Sequence, residues 1–516
     1  MEYIASFDVG TTNVKGILVT REGRIAGTAE RPIRVLESDG RMEQQPEDWA
    51  DAVFQILHEW YAEGTAPEAI RLVSLSGQMQ DLIALDEQLR PVRPAILYAD
   101  GRAGKEAAEL LEQFGHKRVD DITGNPFNGT LVLPKLLWMK RHEPETYERT
   151  AHVLISAKDL IVARLTGQLA TDLTSASTAG CMDLRAGSWS GELIEGAGIS
   201  LGSFPRILAP GEVAGTVNEP GARLSGLLPG TPVLCGFGDA GASTIGAGVL
   251  EEGQAYLYLG TTGWAATASR RQISTRTGAF NLAFYRPDLV VAIAPLLNVG
   301  NVHRWAKDTF GMGEAADDFA AFDRMVASGL AKLSGSTGQS AGSGPAGPEP
   351  AGALLFLPYL NGERCPVQDP LASGCYVGIR QGTTREEMAA AALEGVTLSV
   401  RQVMDILQAG QGTAAEEITA IGGGTKSRVW CQLLADVLQM TVHVPEDSPY
   451  LPALGAAVLG FPVLGWNPDL KSVLEQSLGH LQRVTYVPDR SKRAVYQEKY
   501  SVFQRLYPVL QTLWNN

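Results

Sequence analysis

The chain has 516 residues, more than one hydrophobic core comfortably holds, so two or three domains are expected. Hydrophobic residues make up 45% and charged residues 19%, a globular composition, and the formal net charge of -14 excludes a broad basic surface for nucleic acid or an anionic membrane. The five cysteines, Cys181, Cys235, Cys365, Cys375 and Cys431, form no CxxC pair and the seven histidines no HExxH, which excludes the common zinc spacings.

No run reaches the roughly 18 apolar residues of a membrane span. The start, MEYIASFDVG, lacks the basic and apolar regions of a signal peptide. A cytoplasmic enzyme with reduced thiols is the expectation.

In chain order, YIASFDV and VKGILVT read as strands around the turn GTTN, and GRIAGTAE as a third strand, giving an antiparallel meander. QPEDWADAVFQILHEWYAE places Trp49, Val53, Ile56, Leu57 and Trp60 at helical spacing. IRLVSLSGQMQDLIALD is strand-like and broken at Gly77; RAGKEAAELLEQFG and LPKLLWMKRHEPETYER read as helices. GTPVLCGFGDAGASTIGAG joins an apolar strand, a glycine turn and a small-residue helix. GQAYLYLGTTGWAATAS then repeats the strand, Gly-Thr-Thr, strand pattern of the start, which suggests a second domain on the same plan. The boundary falls near residue 248, dividing the chain into 1–248 and 249–516. Ser334 to Gly352 is Gly/Ser/Pro-rich and reads as a surface loop. REEMAAAALEGVTLSVRQVMDIL reads as a helix, and EEITAIGGGTKSRVWCQLLADVL as strand, glycine turn and helix.

Three motifs carry chemistry. Gly10, Thr11 and Thr12 offer amides and hydroxyls to phosphate oxygens, with Asp8 placed to hold Mg²⁺ through water and Lys15 just beyond. Alone this is equally a plain hairpin turn; its echo at Gly260, Thr261 and Thr262 favours the phosphate reading. Asp239 stands where a strand gives way to a helix, and on composition alone a capping role comes first. The helix amides beside it could also stabilise a transferring phosphoryl group. Gly236–Gly241 fits GxGxxG, but the next strand ends in Gly260 without the acid that a dinucleotide site needs, so the match is read as accidental. Gly422, Gly423 and Gly424 exceed what a turn requires, which points to close ligand approach.

Taken together, FDVGTTNVKG, GQMQDLIALD, RPAILYADGR, LPKLLWMKRHEPE, GFGDAGA, YLGTTG, LPYLNGERCP, GCYVGIRQGTTREEMAAAALE, IGGGTKSRVW and PALGAAVLG resemble the FGGY family of carbohydrate kinases over nearly the whole chain, and within it the xylulokinases. The resemblance implies an α/β architecture: a duplicated actin-like, ribonuclease-H-like ATPase fold with two domains around a central cleft. It implies phosphorylation of a small free sugar by ATP with Mg²⁺, a ketopentose such as D-xylulose leading over other ketoses and polyols. A non-catalytic sugar or nucleotide sensor on the same scaffold is the reading from another class. By position, Asp239 resembles the general base and Asp8 the Mg²⁺-associated acid. Gly10, Thr11, Thr12, Lys15, Gly260, Thr261 and Thr262 resemble the phosphate contacts. Gly300, Gly423, Gly424 and Arg428 resemble the nucleotide site, and Met79, Gln80, Asp100 and Arg102 the sugar pocket. A homodimer is common in the family. The chain departs from the xylulokinase pattern at Gln80, Asp81 and Ala240, where His, Gly and Asn are usual, which leaves the sugar open.

Overall fold

The computed structural model describes residues 1–38, 40–335, 354–409, 415–446 and 448–514. The Gly/Ser/Pro-rich stretch read as a surface loop lies outside the described residues, except Ser334 and Gly335, which end a helix over Phe319–Gly335.

The first sheet is built from β1 (Tyr3–Val9), β2 (Asn13–Thr20) and β3 (Ile25–Pro32), the expected meander. Helix α1 (Pro46–Ala62) starts on Pro46, whose missing N–H costs nothing in the first turn, and buries Trp49, Val53, Ile56, Leu57 and Trp60. Trp60 stacks on Phe7 of β1 with ring centroids 5.6 Å apart, which seats the helix on the sheet. Strand β4 (Ile70–Gly77) pairs parallel with β1. After α2 (Ala157–Thr166) come β5 (Val213–Thr216), β6 (Pro232–Leu234), β7 (Phe237–Gly238) and α3 (Asp239–Gly246). The sheet order is β5-β6-β4-β1-β2-β3, with β7 also on β4.

The second sheet uses β8 (Ala255–Leu259), β9 (Gly263–Ser269), β10 (Phe280–Ala283) and β11 (Val290–Leu296), followed by helix α4 (Gly300–Phe310). Helix α5 (Arg385–Gln408) opens on a capping box between Thr384 and Glu387 and runs through the domain core. Then follow β12 (Glu417–Ile421), α6 (Arg428–Leu438), β13 (Thr441–Pro445), α7 (Leu451–Val458) and β14 (Arg483–Tyr486). The order is β10-β11-β9-β8-β12-β13-β14. Both sheets therefore share one plan: an antiparallel meander, two strands added parallel to its first, and an antiparallel edge strand. This is the duplicated α/β fold expected, with β10 added to the second copy.

Helices α3 and α7 follow equivalent strands and pack against each other between the sheets. A Cβ on Gly246 would lie 2.0 Å from the Leu451 carbonyl oxygen, and one on Gly455 2.1 Å from that of Ala242, so only glycine permits this approach. One apolar cluster runs from Ile4 and Leu72 through Ile245 and Leu454 to Tyr256 and Ala266, joining both sheets.

One expected element divides in two. LPKLLWMKRHEPETYER forms helices over Val132–His142 and Pro144–Glu148, broken at Glu143 because Pro144 cannot continue the ladder.

Candidate active site

The β1–β2 register sets Asp8 opposite Lys15, and Gly10 closes the turn by donating its N–H to the Asn13 carbonyl at 3.1 Å. Asp8 accepts from the Ser76 hydroxyl of β4 at 2.9 Å. Burial pushes its carboxyl up from the ordinary value, the Ser76 bond and the Lys15 charge working against that. The Thr11 hydroxyl is already committed: it donates to Gln78 Oε1 at 2.7 Å, while Gln44 Nε2 donates to the Thr11 carbonyl at 2.7 Å. Thr11 can thus meet a phosphate through its amide, and the exposed Thr12 through its hydroxyl. Gln44 and Gln78 are site residues that the sequence reading missed. Gln78 stood inside a recognised motif, but nothing local marks a glutamine as the brace of a turn far away in the chain.

Asp239 is not the cap that composition suggested. Gly238 holds the cap position and Asp239 is the first helical residue, its Oδ1 accepting from the Ala240 N–H at 2.7 Å. Burial first, and then the negative charge of Asp8, lift its carboxyl from 3.8 to about 7. Beneath it lies a second group that the sequence did not reveal. Lys158 Nζ bonds Asp159 Oδ1 at 2.6 Å, Asp172 Oδ2 at 3.0 Å and the Cys235 carbonyl at 3.1 Å, all three side chains fully buried. Asp172 adds a small repulsion to the Asp239 carboxylate. Fully buried charges are rare, so a charged pair in the sequence reads as surface.

The other candidates fall into two groups. Met79 lies against Gly238, where a Cβ would sit 2.1 Å from its sulfur, so it adjoins the base. Gln80, at φ 67, donates to Thr130 Oγ1 at 2.6 Å. Asp100 is buried and binds Arg102 through Nε at 2.9 Å and Nη2 at 2.6 Å, while the guanidinium also reaches Glu43 at 2.8 Å and covers the Trp138 ring. Asp100 and Arg102 thus brace each other. In the second domain, Thr261 and Thr262 are exposed at the turn after β8. Gly300 and Asn301, opening α4, donate their N–H groups to the Gly260 and Thr261 carbonyls at 2.9 and 3.0 Å, so these helix amides hold the turn. Of the three glycines after β12, Gly422 (φ 99) and Gly424 pack on Leu259, which accounts for two of them without a ligand. Gly423 alone faces open space, and Arg428 is exposed at the start of α6.

No group of three His, Cys, Asp or Glu able to hold a metal occurs among the described residues. A divalent cation held by one carboxylate, water and phosphate oxygens fits Asp8, whose second oxygen is not taken by Ser76. No helix of the described residues is long and apolar enough to cross a membrane.

Family models for the N-terminal and C-terminal domains of FGGY carbohydrate kinases match residues 3–246 and 255–462. The chain belongs to the FGGY family of carbohydrate kinases. It is similar to xylulose kinase of Escherichia coli (strain K12), 30% identical over 98% of this chain and 99% of that protein. It is also 28% identical to gluconokinase of Bacillus subtilis (strain 168), over 99% of this chain and 96% of that protein. Among solved structures, xylulose kinase from Rhodospirillum rubrum superposes with a TM-score of 0.88 at 28% identity, covering 100% of both chains. The protein is therefore a carbohydrate kinase, and kinases of this family use ATP with a divalent metal.

Proposed function

We propose that this kinase transfers the γ-phosphoryl group of ATP to the terminal primary hydroxyl of a ketopentose, D-xylulose first among candidates, with Asp239 as general base. The observation that carries the reading is Asp239 itself: a carboxylate beside Asp8 and the first Gly-Thr-Thr turn, with proton affinity raised to about 7. A base of that affinity accepts the hydroxyl proton while still largely ionised just above neutrality. The sugar oxygen then bonds to the γ-phosphorus, the bond from that phosphorus to the β–γ bridging oxygen breaks, and ADP leaves. Asp8 would hold Mg²⁺, which neutralises charge on the phosphoryl oxygens. The Thr11 amide, the Thr12 hydroxyl and the Gly260–Thr262 turn would orient the phosphates, with Gly10 shaping the first turn; Gly423, Gly424 and Arg428 would bound the nucleotide, and Gly300 would act through the turn it holds. Met79, Gln80, Asp100 and Arg102 would line or brace the sugar pocket. The domain division is proposed at residue 248, between α3 and β8.

The test is Mg-ATP-dependent ADP release against ketoses, aldoses, polyols and gluconate, on wild type and Asp239→Ala. D-xylulose should give the highest kcat/KM, and the variant should lose on the order of 10³-fold in kcat. Preference for gluconate, the substrate class named by one relative, would replace the ketopentose. Release independent of any sugar would remove the kinase reading altogether.

A further inference from the structure

Two residues with no part in the phosphoryl transfer tie together the loops that would form the sugar pocket. Asp81 is fully buried; its Oδ1 accepts from the Tyr98 N–H at 3.0 Å, and its Oδ2 has no hydrogen-bond partner among the described residues. Lys135, equally buried in the helix Val132–His142, donates from Nζ to the carbonyls of Gln80 at 3.0 Å and Leu97 at 2.7 Å. Burial pushes the Asp81 carboxyl up and the Lys135 amine down, each opposed by the charge of the other. Two buried charges are expensive where an apolar pair of equal volume would pack as well, so the arrangement implies a task that packing cannot perform.

The bonds indicate the task. Each of these side-chain bonds goes to the main chain of one of two segments, 78–81 or 97–102, and neither segment is helix or strand. The first carries Met79 and Gln80, the second Tyr98, Asp100 and Arg102. Gln80 is held at φ 67, a left-handed conformation that costs a side-chain-bearing residue energy unless its surroundings enforce it. The Lys135 bond to the Gln80 carbonyl fixes that peptide, and the Gln80 amide nitrogen is spent on Thr130. What Gln80 can still offer is its Oε1, an acceptor for a sugar hydroxyl. Tyr98, 43% exposed, is tied to Asp81 by its backbone and approaches the Thr11 hydroxyl at 3.5 Å with its phenol.

We propose that Asp81 and Lys135 are the positioning pair of the sugar pocket, a buried cross-link that fixes the main chain of Gln80 and Tyr98 and so sets how tightly the sugar is held. The inference rests on the sugar-kinase reading. It places no role for the pair in nucleotide binding, since neither residue bonds a phosphate turn.

The test compares full-length wild type, Asp81→Asn and Asp81→Ala by steady-state kinetics in both substrates and by backbone hydrogen exchange of peptides covering 78–102. Asparagine keeps an acceptor for the Tyr98 N–H; alanine does not. Asp81→Ala should raise the sugar KM about tenfold with the ATP KM within about twofold, and speed exchange in 97–102. Asp81→Asn should restore most of both. An Asp81→Ala protein with unchanged sugar KM or unchanged exchange overturns the pair. So does an equal rise in both KM values, or an asparagine variant as impaired as alanine. A wild type in which no sugar drives ADP release overturns the sugar-kinase reading instead, and this inference falls with it.

Discussion

At the residue scale, Asp239 links activity and stability to pH in opposite ways. Its folded-state proton affinity of about 7 exceeds the ordinary 3.8, because burial and Asp8 both penalise the carboxylate. As base it must be ionised, so kcat/KM for the sugar should climb as pH rises through about 7. The stability effect has the reverse sign. Above 3.8 the unfolded chain releases this proton while the folded chain retains it, so the group lowers folding stability progressively between 3.8 and about 7. Asp239→Asn should therefore be inactive, and its melting temperature should exceed that of wild type by more at pH 8 than at pH 5. Thermal melts at the two pH values check this; an equal difference at both would mean the carboxyl is not shifted. Gln78 gives a second residue-scale expectation. Gln78→Ala removes the acceptor of the Thr11 hydroxyl and the donor to Gln44, so it should loosen the first phosphate turn. The outcome to read is a fall in kcat of about tenfold or more with folding retained, since misplacement of a positioning group by a fraction of an ångström has effects of that order.

At the scale of elements, the α3–α7 contact joins the two halves of the molecule. Ser6 of β1 and Ser74 of β4 donate buried hydroxyls to the Ala453 and Ala456 carbonyls, at 2.6 and 2.7 Å, so a helix late in the chain is fastened to the first sheet. Gly455→Ala would place a methyl carbon 2.1 Å from the Ala242 carbonyl oxygen, where only helix separation relieves the clash. The expected cost is about 1–3 kcal/mol, read as a lower urea midpoint. A neutral substitution would show the helices part easily. The repeated strand, Gly-Thr-Thr, strand unit was legible because turn chemistry and strand alternation are local. The docking of α7 on β4, through a bond between residues 382 positions apart, was not, because no local pattern encodes it. The same holds for Lys135 and Lys158. Their charge predicts exposure, and only tertiary structure reveals the carbonyls and carboxylates that make burial tolerable. Gly422 and Gly424 show the converse: their run suggests close ligand approach, and the packing of β8 also demands glycine at both positions, a constraint no local pattern encodes.

At the scale of the whole molecule, a second contact joins the halves. Strand β10 edges the second sheet, and first-domain side chains cap its outer backbone groups. Asn125 exchanges two bonds of 2.7 Å with the backbone of Asn281, Thr174 donates to the Ala283 carbonyl at 2.6 Å, and the Ala283 N–H donates to Ser177 at 2.9 Å. The phosphate turns, by contrast, expose Thr12, Thr261 and Thr262. Any closing of the halves around substrates must therefore pivot on the close-packed α3–α7 contact, with α7 bonded to the first sheet, and on the bonded β10, and move the turns, whose threonines face outward. Small-angle scattering should show a smaller radius of gyration with sugar and a non-hydrolysable ATP analogue together than with neither. Asn125→Ala tests the pivot. It leaves the N–H and carbonyl of Asn281 unpaired in a buried seam, which should lower the melting temperature. It also loosens the alignment of both half-sites, so kcat and the KM values of sugar and ATP should all change together, unlike the sugar-only effect expected at Asp81. If only the melting temperature moved, β10 would be a fastening remote from the motion, and the pivot would reduce to the α3–α7 pair.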